Sequence, residues 1–496
     1  MKEEFIIVLD QGSSSSRALA FDLDGNIRFK AQKKIALSYP QPGYAQYDGL
    51  ELLKSQTDSL KEVLAKLPAG GAVLALGLAA QRSTIVLWDS ETGVPLAPAL
   101  SWQDGRAQGE LAKVSISNTA VHELTGLYKT PYYSASKIKW CLENLPEVKT
   151  AAAAGKLLVA PVSGFILWHL SKGKTFAVDP TQAQRTLLFN IKRLKWDAGL
   201  LGAFGVRSGL LPEVLPTIGD FGRIKIEGFD IPVRAVMGDQ QAALLGLGVR
   251  SENSAALNYG TGAFLMVNTG YRLVKTRGIL NSIGWQEAGA KTPCYFLEST
   301  VNSAATALEW LKLKFGMFSE LSEVDAMCRL SRNRLLCLPA IGGIGSPYWD
   351  FSTFTTFTGL SAHTDKHDVV RGVVEGIAYM VGDSLDLIRK KGIKITEIRA
   401  SGGLSNIDWL LQFQADITGA KILRMEDTEA TALGAAIGAA RAAGIELPRK
   451  MAVSKEFSPA ISDMERANLI KGWRVFVKDI RKTSSDLRKL NVLPHV

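Results

Sequence analysis

The chain has 496 residues, a formal net charge of +10, 46% hydrophobic residues and 21% charged residues. This length predicts two or more domains with substantial cores, and the globular composition excludes a largely disordered chain. The N-terminal apolar stretch, Phe5 to Leu9, is too short for a signal peptide, and no apolar run reaches the roughly 18 residues of a membrane helix. We therefore expect a cytoplasmic protein without a membrane span.

Short strand patterns alternate with helical patterns along the chain, which predicts α/β layers with helices covering the sheets. The run AGGAVLALGLAA at 69–80 is expected to be a buried strand. Near 248–253 the chain reads GVRSEN, which is polar and typical of a turn. We therefore expect an N-terminal domain at 1–247 and a C-terminal domain at 248–496. The apolar runs are IIVLD, RALAFD, KKIALSYP, VLALGLAAQRSTIVLWD, LLVAPVSGFILWHL and VRAVMGDQQAALLGLG.

Two similar glycine turns suggest that the chain is duplicated. LDQGSSSSRALAF and LNYGTGAFLMVN both read as an apolar strand, a polar residue, Gly, a hydroxyl residue and a second strand. Their glycines, Gly12 and Gly260, lie half a chain apart, which favours two related halves. A third glycine turn, SGGLSN at 401–406, follows another predicted strand and precedes the helical pattern IDWLLQFQADITGA.

Turns of this composition suit phosphate binding, because backbone N–H groups and hydroxyls converge at one point. For either turn alone, a plain hairpin is the better interpretation, but the pair favours two loops that hold one triphosphate. Asp10 ends the first strand beside the serine loop, where a carboxylate can hold Mg²⁺ or its waters. Asp239 ends another strand and begins a helix, which favours a general base; a helix N-cap is the other interpretation and does not exclude catalysis.

The last 56 residues carry much of the positive charge, with twelve Lys or Arg against six Asp or Glu. A nucleic-acid arm is one interpretation of this charge. The apolar residues of the segment recur at helical spacing, however, and favour an amphipathic helix packed on the body, so no nucleic-acid partner is expected. The four cysteines form no CxxC pair and do not cluster with the five histidines, which predicts reduced thiols and no zinc site. The apolar positions are Trp473, Phe476, Val477, Ile480 and Leu487.

An ordered set of motifs from residue 10 to about 436 resembles the FGGY carbohydrate kinases, and within them the glycerol kinases. These kinases are a branch of the actin, hexokinase and Hsp70 ATPase fold. The matching motifs are DQGSSSSR, YPQPGYAQYD, QRSTIVLWDSETG, LSWQDGR, PYYSASKIKW, QRTLLFNI, LPEV, GDQQAALLG, NYGTGAFLMVNTG, GIGSPYWD, SGGLSN, WLLQFQADITGA and ATALGAA.

The resemblance implies duplicated ribonuclease H-like domains with a deep cleft between them. It also implies transfer of the γ-phosphoryl group of ATP, with Mg²⁺, to a primary hydroxyl of a small polyol or sugar. Asp239 would be the base, and Asp10 the Mg²⁺ ligand with Asp239 as a second ligand. The implied ATP-binding residues are Ser13, Ser14, Ser15, Arg17, Gly260, Thr261, Gly262, Ala305, Glu309, Gly402, Gly403 and Asn406. The implied substrate-binding residues are Arg82, Ser83, Trp102, Tyr132, Asp239, Gln240 and Phe264.

Several alternatives stay open at this point. Glycerol kinases typically read QRETT where this chain reads QRST, so Ser83 replaces a glutamate. The resemblance implies glycerol as the substrate, with glycerol 3-phosphate as the product. Ser83 instead favours a longer polyol such as erythritol, or a ketopentose such as ribulose or xylulose. The three aromatic residues of the substrate set have a second interpretation as core aromatics. A nucleotide-binding pseudokinase of the same fold is a further alternative, and the assembly is open between a homodimer and a homotetramer.

Overall fold

The computed structural model describes residues 3–426, 429–448 and 452–492. These residues form two compact units. Unit 1 contains Met1–Gly248, Ser282–Tyr295 and Glu429–Lys450, and unit 2 contains Val249–Asn281, Phe296–Thr428 and Met451–Val496. The two domains expected from the sequence, divided near residue 248, stay a prediction.

The strands alternate with helices as the apolar patterns indicate. The strands are β1 Glu4–Gln11, β2 Ser15–Asp22, β3 Ile27–Lys34, β4 Gln46–Tyr47, β5 Ala72–Ala80, β6 Ile85–Asp89, β7 Ala99–Leu100, β8 Leu157–Pro161, β9 Ala177–Val178, β10 Phe189–Asn190, β11 Lys195–Trp196, β12 Glu213–Val214, β13 Arg223–Ile226, β14 Phe229–Gly238, β15 Ala255–Tyr259, β16 Ala263–Asn268, β17 Leu280–Trp285, β18 Cys294–Val301, β19 Leu336–Leu338, β20 Thr356–Thr358, β21 Glu397–Ser401, β22 Lys421–Met425 and β23 Val453–Phe457.

The helices are α1 Gly49–Ala65, α2 Gln108–Lys113, α3 Asn118–Thr125, α4 Ser134–Asn144, α5 Pro146–Ala153, α6 Val162–Leu170, α7 Pro180–Gln184, α8 Ala198–Phe204, α9 Asp239–Gly246, α10 Ala305–Phe315, α11 Val324–Leu330, α12 Lys366–Arg389, α13 Asp408–Thr418, α14 Ala430–Ala442 and α15 Asp463–Lys489. Three 3₁₀ turns lie at Ser208–Leu210, Leu321–Glu323 and Gly403–Asn406.

The main sheet of unit 1 has the strand order β13-β14-β5-β1-β2-β3. β1 and β2 form an antiparallel hairpin, while β1 and β14 both run parallel to β5. Gln11 at the end of β1 and Gly238 at the end of β14 are both in register with Ala80 of β5. The residues that follow these three strands therefore meet at one edge of the sheet. β5 is the strand expected at 69–80, and most of its residues are buried.

The sheet of unit 2 repeats this arrangement. Six of its strands lie side by side in the order β18-β16-β15-β21-β22-β23. β15 forms an antiparallel hairpin with β16 and runs parallel to β21, as β1 does with β2 and β5. The glycine turns at Gly12 and Gly260 are thus the same turn of two equivalent hairpins. The expected α/β class with duplicated halves is confirmed.

Helix α14 comes late in the chain but packs within unit 1, against α9. A Cβ atom on Gly434 would lie 1.7 Å from the carbonyl oxygen of Ala242, and one on Gly246 would lie 2.0 Å from that of Ala430. The two helices therefore touch backbone to backbone, which only glycine allows at these positions. Because α9 begins with Asp239, this packing fixes the element that carries the predicted base.

The basic C-terminal segment forms α15, and its apolar stripe is buried in unit 2. Trp473 stacks on Tyr379 with ring centroids 4.7 Å apart, and its indole N–H donates to Asp383 at 2.7 Å. Phe476 and Val477 are also buried. The packed amphipathic helix expected from the spacing is confirmed. Across the described ranges, none of the helices has the length and apolar character needed to cross a membrane.

Candidate active site

Asp239 is the first residue of α9, at the sheet edge where β14 ends. Its carboxylate accepts the backbone N–H of Gln240 at 2.7 Å and lies 3.9 Å from Nε of Arg82. Gly238 is the N-cap residue and no side chain caps this helix, so the N-cap interpretation of Asp239 is wrong. The carboxylate has backbone and cationic neighbours but remains 32% exposed, and can receive a proton from a bound molecule.

The pKa of Asp239 lies well above that of an ordinary aspartate. The pKa is raised to about 6, chiefly by burial; the Arg82 guanidinium and the N–H of Gln240 oppose this rise, and the charge of Asp10 adds to it. A carboxylate with this pKa is ionised at neutral pH and is a stronger base than an unperturbed one. Perturbed pKa values of this kind are typical of catalytic groups in clefts.

A buried polar chain supports the backbone just before Asp239. The hydroxyl of Thr181 accepts the N–H of Gly238 at 2.8 Å and donates to Asp179 at 2.9 Å. Asp179 also accepts the hydroxyl of Thr217 at 2.8 Å and caps the start of α7. Because each polar group has its partner, this chain fixes where β14 ends and α9 begins.

Arg82 and Ser83 form the turn after β5. The guanidinium of Arg82 donates to the side-chain oxygen of Gln240, which joins two residues of the predicted substrate set. Ser83 has a φ of +65°, in the left-handed region that non-glycine residues rarely adopt. Its hydroxyl donates to the carbonyl of Arg185 at 3.2 Å, and its own carbonyl accepts the hydroxyl of Ser134 at 3.2 Å. The turn is therefore held through both the side chain and the backbone carbonyl of Ser83.

Two of the predicted aromatic residues line a surface next to the serine loop. Trp102 is 39% exposed and Tyr132 is 51% exposed, with ring centroids 6.4 Å apart. The indole N–H of Trp102 donates to the hydroxyl of Ser13 at 3.2 Å. The interpretation as core aromatics is wrong for this pair, which we call the aromatic wall. Phe264, the third aromatic, lies half-buried on β16 in unit 2.

The first glycine loop is a tight turn between β1 and β2, closed by a hydrogen bond from the N–H of Gly12 to the carbonyl of Ser15 at 3.0 Å. Ser14 is exposed, and Ser13 and Ser15 are half-buried. Gln81, after β5, donates to the carbonyl of Gly12 at 3.1 Å and accepts the hydroxyl of Thr84. Since Thr84 also accepts the backbone N–H of Trp102, the loop and the aromatic wall share one polar network.

Asp10 and Arg17 are cross-strand partners on β1 and β2, and they form a salt bridge. Arg17 also pairs with Glu429 at 2.7 Å, and Glu429 pairs in turn with Lys30. Burial raises the pKa of Asp10, and the Arg17 charge opposes that shift. No group of three metal-ligating side chains occurs in the described part of the chain. One or two carboxylates suffice for Mg²⁺ when substrate phosphates supply the other ligands, so Asp10 fits that role.

In unit 2, the second glycine loop packs on the start of α10. The carbonyl of Gly260 accepts the backbone N–H of Ala305 at 3.2 Å, and that of Thr261 accepts the backbone N–H of Ala304 at 3.1 Å. A Cβ atom on Gly262 would lie 2.6 Å from the carbonyl of Val301, so this position requires glycine. The loop and Ala305 are therefore brought together.

The third glycine turn lies beside the second loop. Gly402 has a φ of +88°, and a Cβ atom there would lie 2.5 Å from the carbonyl oxygen of Tyr259, the residue before Gly260. Gly403 opens the 3₁₀ turn that contains Asn406, which is exposed. Glu309 lies one helical turn beyond Ala305 on α10 and is also exposed. The second loop thus lies against both Ala305 and Gly402, while Glu309 and Asn406 follow on the same helix and the same turn.

The structure adds residues that sequence reasoning missed. Glu429 contacts the first loop's arginine, and its signal was an acidic residue just before the motif ATALGAA. The side chains of Thr181 and Gln81 bond to backbone groups of Gly238 and Gly12. Every residue has such backbone groups, so the sequence contains no motif that marks these contacts. Lys137 is fully buried beside the aromatic wall, and its signal is a lysine at an otherwise buried position of α4.

Comparisons with known proteins agree with this geometry. The N-terminal domain model of the FGGY family of carbohydrate kinases matches residues 5–246, and the C-terminal domain model matches residues 255–443. A glycerol kinase of Shewanella piezotolerans is 38% identical over 496 residues, covering 97% of this chain and 100% of the relative. A glycerol kinase of Shewanella amazonensis is 37% identical over 492 residues, covering 96% of this chain and 99% of the relative.

Solved structures give the same result. The crystal structure of Plasmodium falciparum glycerol kinase with ADP has a TM-score of 0.90 and 27% identity, covering 97% of this chain and 98% of that one. A gluconate kinase from Lactobacillus acidophilus, 20% identical with a TM-score of 0.86, covers 99% of this chain and 100% of that one and shares the fold. With both domain models matched in order and full-length relatives above 30% identity, the chain belongs to the FGGY family of carbohydrate kinases and is an enzyme that phosphorylates an alcohol group.

Proposed function

We propose that this enzyme transfers the γ-phosphoryl group of ATP to a primary hydroxyl of a small polyol, with Asp239 as the general base. The observation that carries the proposal is the position of Asp239: at the sheet edge, beside Arg82, partly open to water, with a pKa near 6. The substrate lies against Arg82, Gln240 and the aromatic wall. Aromatic faces pack against the carbon chain of the polyol, while the guanidinium and amide bond its hydroxyls.

Asp239 accepts the proton of the attacking hydroxyl as its oxygen bonds to the γ-phosphorus; the bond between that phosphorus and the β–γ bridging oxygen breaks, and ADP leaves. In phosphoryl transfer the protein mainly positions the reactants and neutralises charge, and a carboxylate near the nucleophile completes this set. Arg82 orients the hydroxyls before transfer and can bond the phosphate afterwards, since its planar fork suits both. The chain from Asp179 through Thr181 keeps the base in place.

The phosphoryl donor is ATP with Mg²⁺, the donor of the family. Asp10 would hold the metal, which neutralises charge on the phosphates. The first loop, Ser13 to Ser15 with Arg17, and the second loop, Gly260 to Gly262, would each offer N–H groups and hydroxyls to phosphate oxygens. The Gly402–Gly403 turn, with Ala305, Glu309 and Asn406 nearby, would hold the adenosine.

Two substrates are supported by different observations. Glycerol, giving glycerol 3-phosphate, is supported by relatives that are glycerol kinases along their whole length. A longer polyol or ketopentose is supported by Ser83, a short uncharged side chain whose hydroxyl already donates to Arg185. Without a carboxylate there, the site has fewer charged acceptors for glycerol and more room for a longer chain.

The first experiment measures ADP release with glycerol, erythritol, pentitols, ribulose, xylulose and gluconate under identical conditions. The proposal expects kcat/KM to be highest for glycerol or for one longer polyol or ketopentose. A micromolar KM for glycerol with the highest kcat/KM would rule out the longer substrate. An entirely silent panel with ATP still bound would contradict the kinase reaction proposed here.

The second experiment replaces the base. Asp239→Asn keeps the shape of the side chain but cannot accept the proton, so turnover should fall roughly a hundredfold to ten-thousandfold, the scale of lost acid–base catalysis, while ATP binding persists. Asp230→Asn, on the exposed part of the same strand, is the matched control and should behave as wild type. Loss of ATP binding with unchanged turnover of the residual enzyme would overturn the assignment.

We further propose a cytoplasmic enzyme that assembles as a homodimer or homotetramer, on the basis of family membership. Light scattering of the purified protein should then read about two or four times the chain mass of 53.7 kDa. A single species near the mass of one chain would contradict this assembly.

A further inference from the structure

A fully buried lysine lies behind the aromatic wall. Lys137 belongs to the first turn of α4, and none of its side chain is exposed. Burial lowers its pKa to about 7, with opposing contributions from Asp104, which raises it, and Arg106, which lowers it. Since Arg106 already pairs with Asp104 at 2.8 Å, Lys137 is not placed there as the partner of a free carboxylate. A buried ammonium is costly, so its contacts need an explanation.

The two contacts of Lys137 are backbone carbonyls on either side of the wall. Its Nζ donates to the carbonyl of Ser101 at 2.6 Å and to that of Tyr132 at 2.9 Å. Ser101 immediately precedes Trp102, and both wall residues lie in turns rather than in strands or helices. One side chain therefore ties together two irregular segments that have no ladder of backbone hydrogen bonds between them.

The same helical turn also contacts the turn of Arg82 and Ser83, which belongs to the proposed substrate site. Ser134 donates its hydroxyl to the carbonyl of Ser83 at 3.2 Å, and the N–H of Ala135 donates to the carbonyl of Thr186 at 2.8 Å. Ser136 lies on the same turn, and its buried hydroxyl forms no hydrogen bond with any described residue. The side chains of Lys137 and Ser134 thus bond to the segments that carry the aromatic wall and to the turn of Arg82 and Ser83.

We infer that the first turn of α4, through Lys137 and Ser134, is a positioning element. It sets the distance between the two segments of the aromatic wall and thereby the affinity of the enzyme for the polyol. The inference rests on the proposed function, because it takes Trp102 and Tyr132 as substrate contacts. Lys137 and Ser134 do not themselves touch the substrate. They act through the backbone carbonyls of Ser101, Tyr132 and Ser83, which belong to the segments that carry the substrate contacts. A positioning role predicts a change in polyol KM with little change in ATP KM or kcat, whereas a purely structural role predicts only lower stability.

The test compares two variants with matched controls, using the best substrate of the panel. Lys137→Met keeps the stem and removes the donor, and Lys139→Met, whose exposed partner is Glu143, is its control. Ser134→Ala removes one donor, and Ser136→Ala is its control. We expect polyol KM to rise about tenfold in Lys137→Met, which releases both segments of the aromatic wall, and about threefold in Ser134→Ala, which releases only the Ser83 turn, because displaced contact residues lose part of their binding to the polyol. KM for ATP in the two test variants, and KM for the polyol in the two control variants, should stay within about twofold of wild type. A change of that size is smaller than the effect of one lost hydrogen bond.

Trp102→Ala and Tyr132→Ala separate failure of this inference from failure of the proposed function. If these two variants leave polyol KM unchanged, the proposed substrate site is wrong. If they raise it while Lys137→Met and Ser134→Ala do not, the positioning inference is wrong. A lower melting temperature with wild-type polyol KM, or equal rises in polyol and ATP KM, would also overturn it. Should Lys137→Met not fold, the polyol KM of Ser134→Ala decides the question in the same way.

Discussion

Restoring a glutamate at Ser83 tests whether this position sets the substrate. Ser83 is buried, its turn has a left-handed backbone, and its hydroxyl donates to the carbonyl of Arg185 at 3.2 Å. Ser83→Glu adds a carboxylate beside Arg82, within the predicted substrate set. Because both serine and glutamate carry a Cβ atom, the substitution adds no new backbone strain at this φ.

The magnitude follows from the hydrogen bonds that change. A substrate hydroxyl that donates to a carboxylate gains about 1.5–3 kcal/mol, which is roughly a tenfold to hundredfold change in affinity. The lost bond between Ser83 and the Arg185 carbonyl costs about 1 kcal/mol, and this cost falls on folding rather than on binding. We therefore expect kcat/KM for glycerol to rise about tenfold or more, and that for a longer polyol to fall because the larger side chain occupies its space.

The assay measures ADP release with glycerol and with the best longer substrate for wild type, Ser83→Glu and Ser83→Gln. The glutamine variant has the same size without the charge, so it should reproduce the loss of the longer substrate but only part of the gain for glycerol. A folded Ser83→Glu protein whose kcat/KM for glycerol is unchanged or lower would refute the reasoning. It would show that the substrate does not reach this turn.

Three further predictions concern the base and its supports. Because burial raises the pKa of Asp239 to about 6 and the base must be ionised, kcat/KM should fall with decreasing pH with a midpoint near 6; a constant value down to pH 5 would contradict this. Thr181→Val removes the hydroxyl that accepts the N–H of Gly238, so kcat should drop about tenfold with both KM values kept, while Thr181→Ser should restore it. Gly434→Ala should lower the free energy of unfolding by about 3 kcal/mol in calorimetry, because its Cβ has no space against α9. Gly202→Ala, a helical position with open space, is the control and should be neutral or stabilising; equal effects would refute the packing argument.

The duplicated fold could be predicted from the sequence because its signal is local. Each glycine turn joins two apolar strands, and strands of that pattern form hairpins without help from distant residues. Gly12 and Gly260 therefore located the equivalent turns. The placement of α14 could not be predicted in this way, since the motif ATALGAA shows only that the helix has a small-residue face. Which helix it packs against depends on pairs such as Gly434 and Ala242, which are far apart in the chain.

The site was predictable where chemistry depends on side-chain type, and not where it depends on backbone groups. Asp239 is predictable because an acidic residue ends a predicted strand and begins a helix, whereas Arg82 is implied by the resemblance to the family; the structure brings the two within 3.9 Å. Lys137 was not found because its partners are carbonyls, which every residue has. Glu429 was not found because its contact with Arg17 joins positions more than 400 residues apart. Their individual roles remain predictions that the variants above test.

If Ser83 sets the substrate, as proposed, the structure of its turn lets substrate choice change while the phosphoryl-transfer machinery is kept. The ends of this turn are fixed by backbone contacts: the N–H of Gln81 donates to Gln11 at 2.8 Å, and the carbonyl of Thr84 accepts the N–H of Val162 at 3.1 Å. The carbonyl of Ser83 is held by Ser134, so these three backbone contacts remain when the bond from the Ser83 hydroxyl to Arg185 is lost. A glutamate and a serine can therefore exchange there without moving Arg82. Because the backbone before Asp239 is held separately, through Thr181, we expect such an exchange to alter which polyol binds and to leave the proposed base where it is.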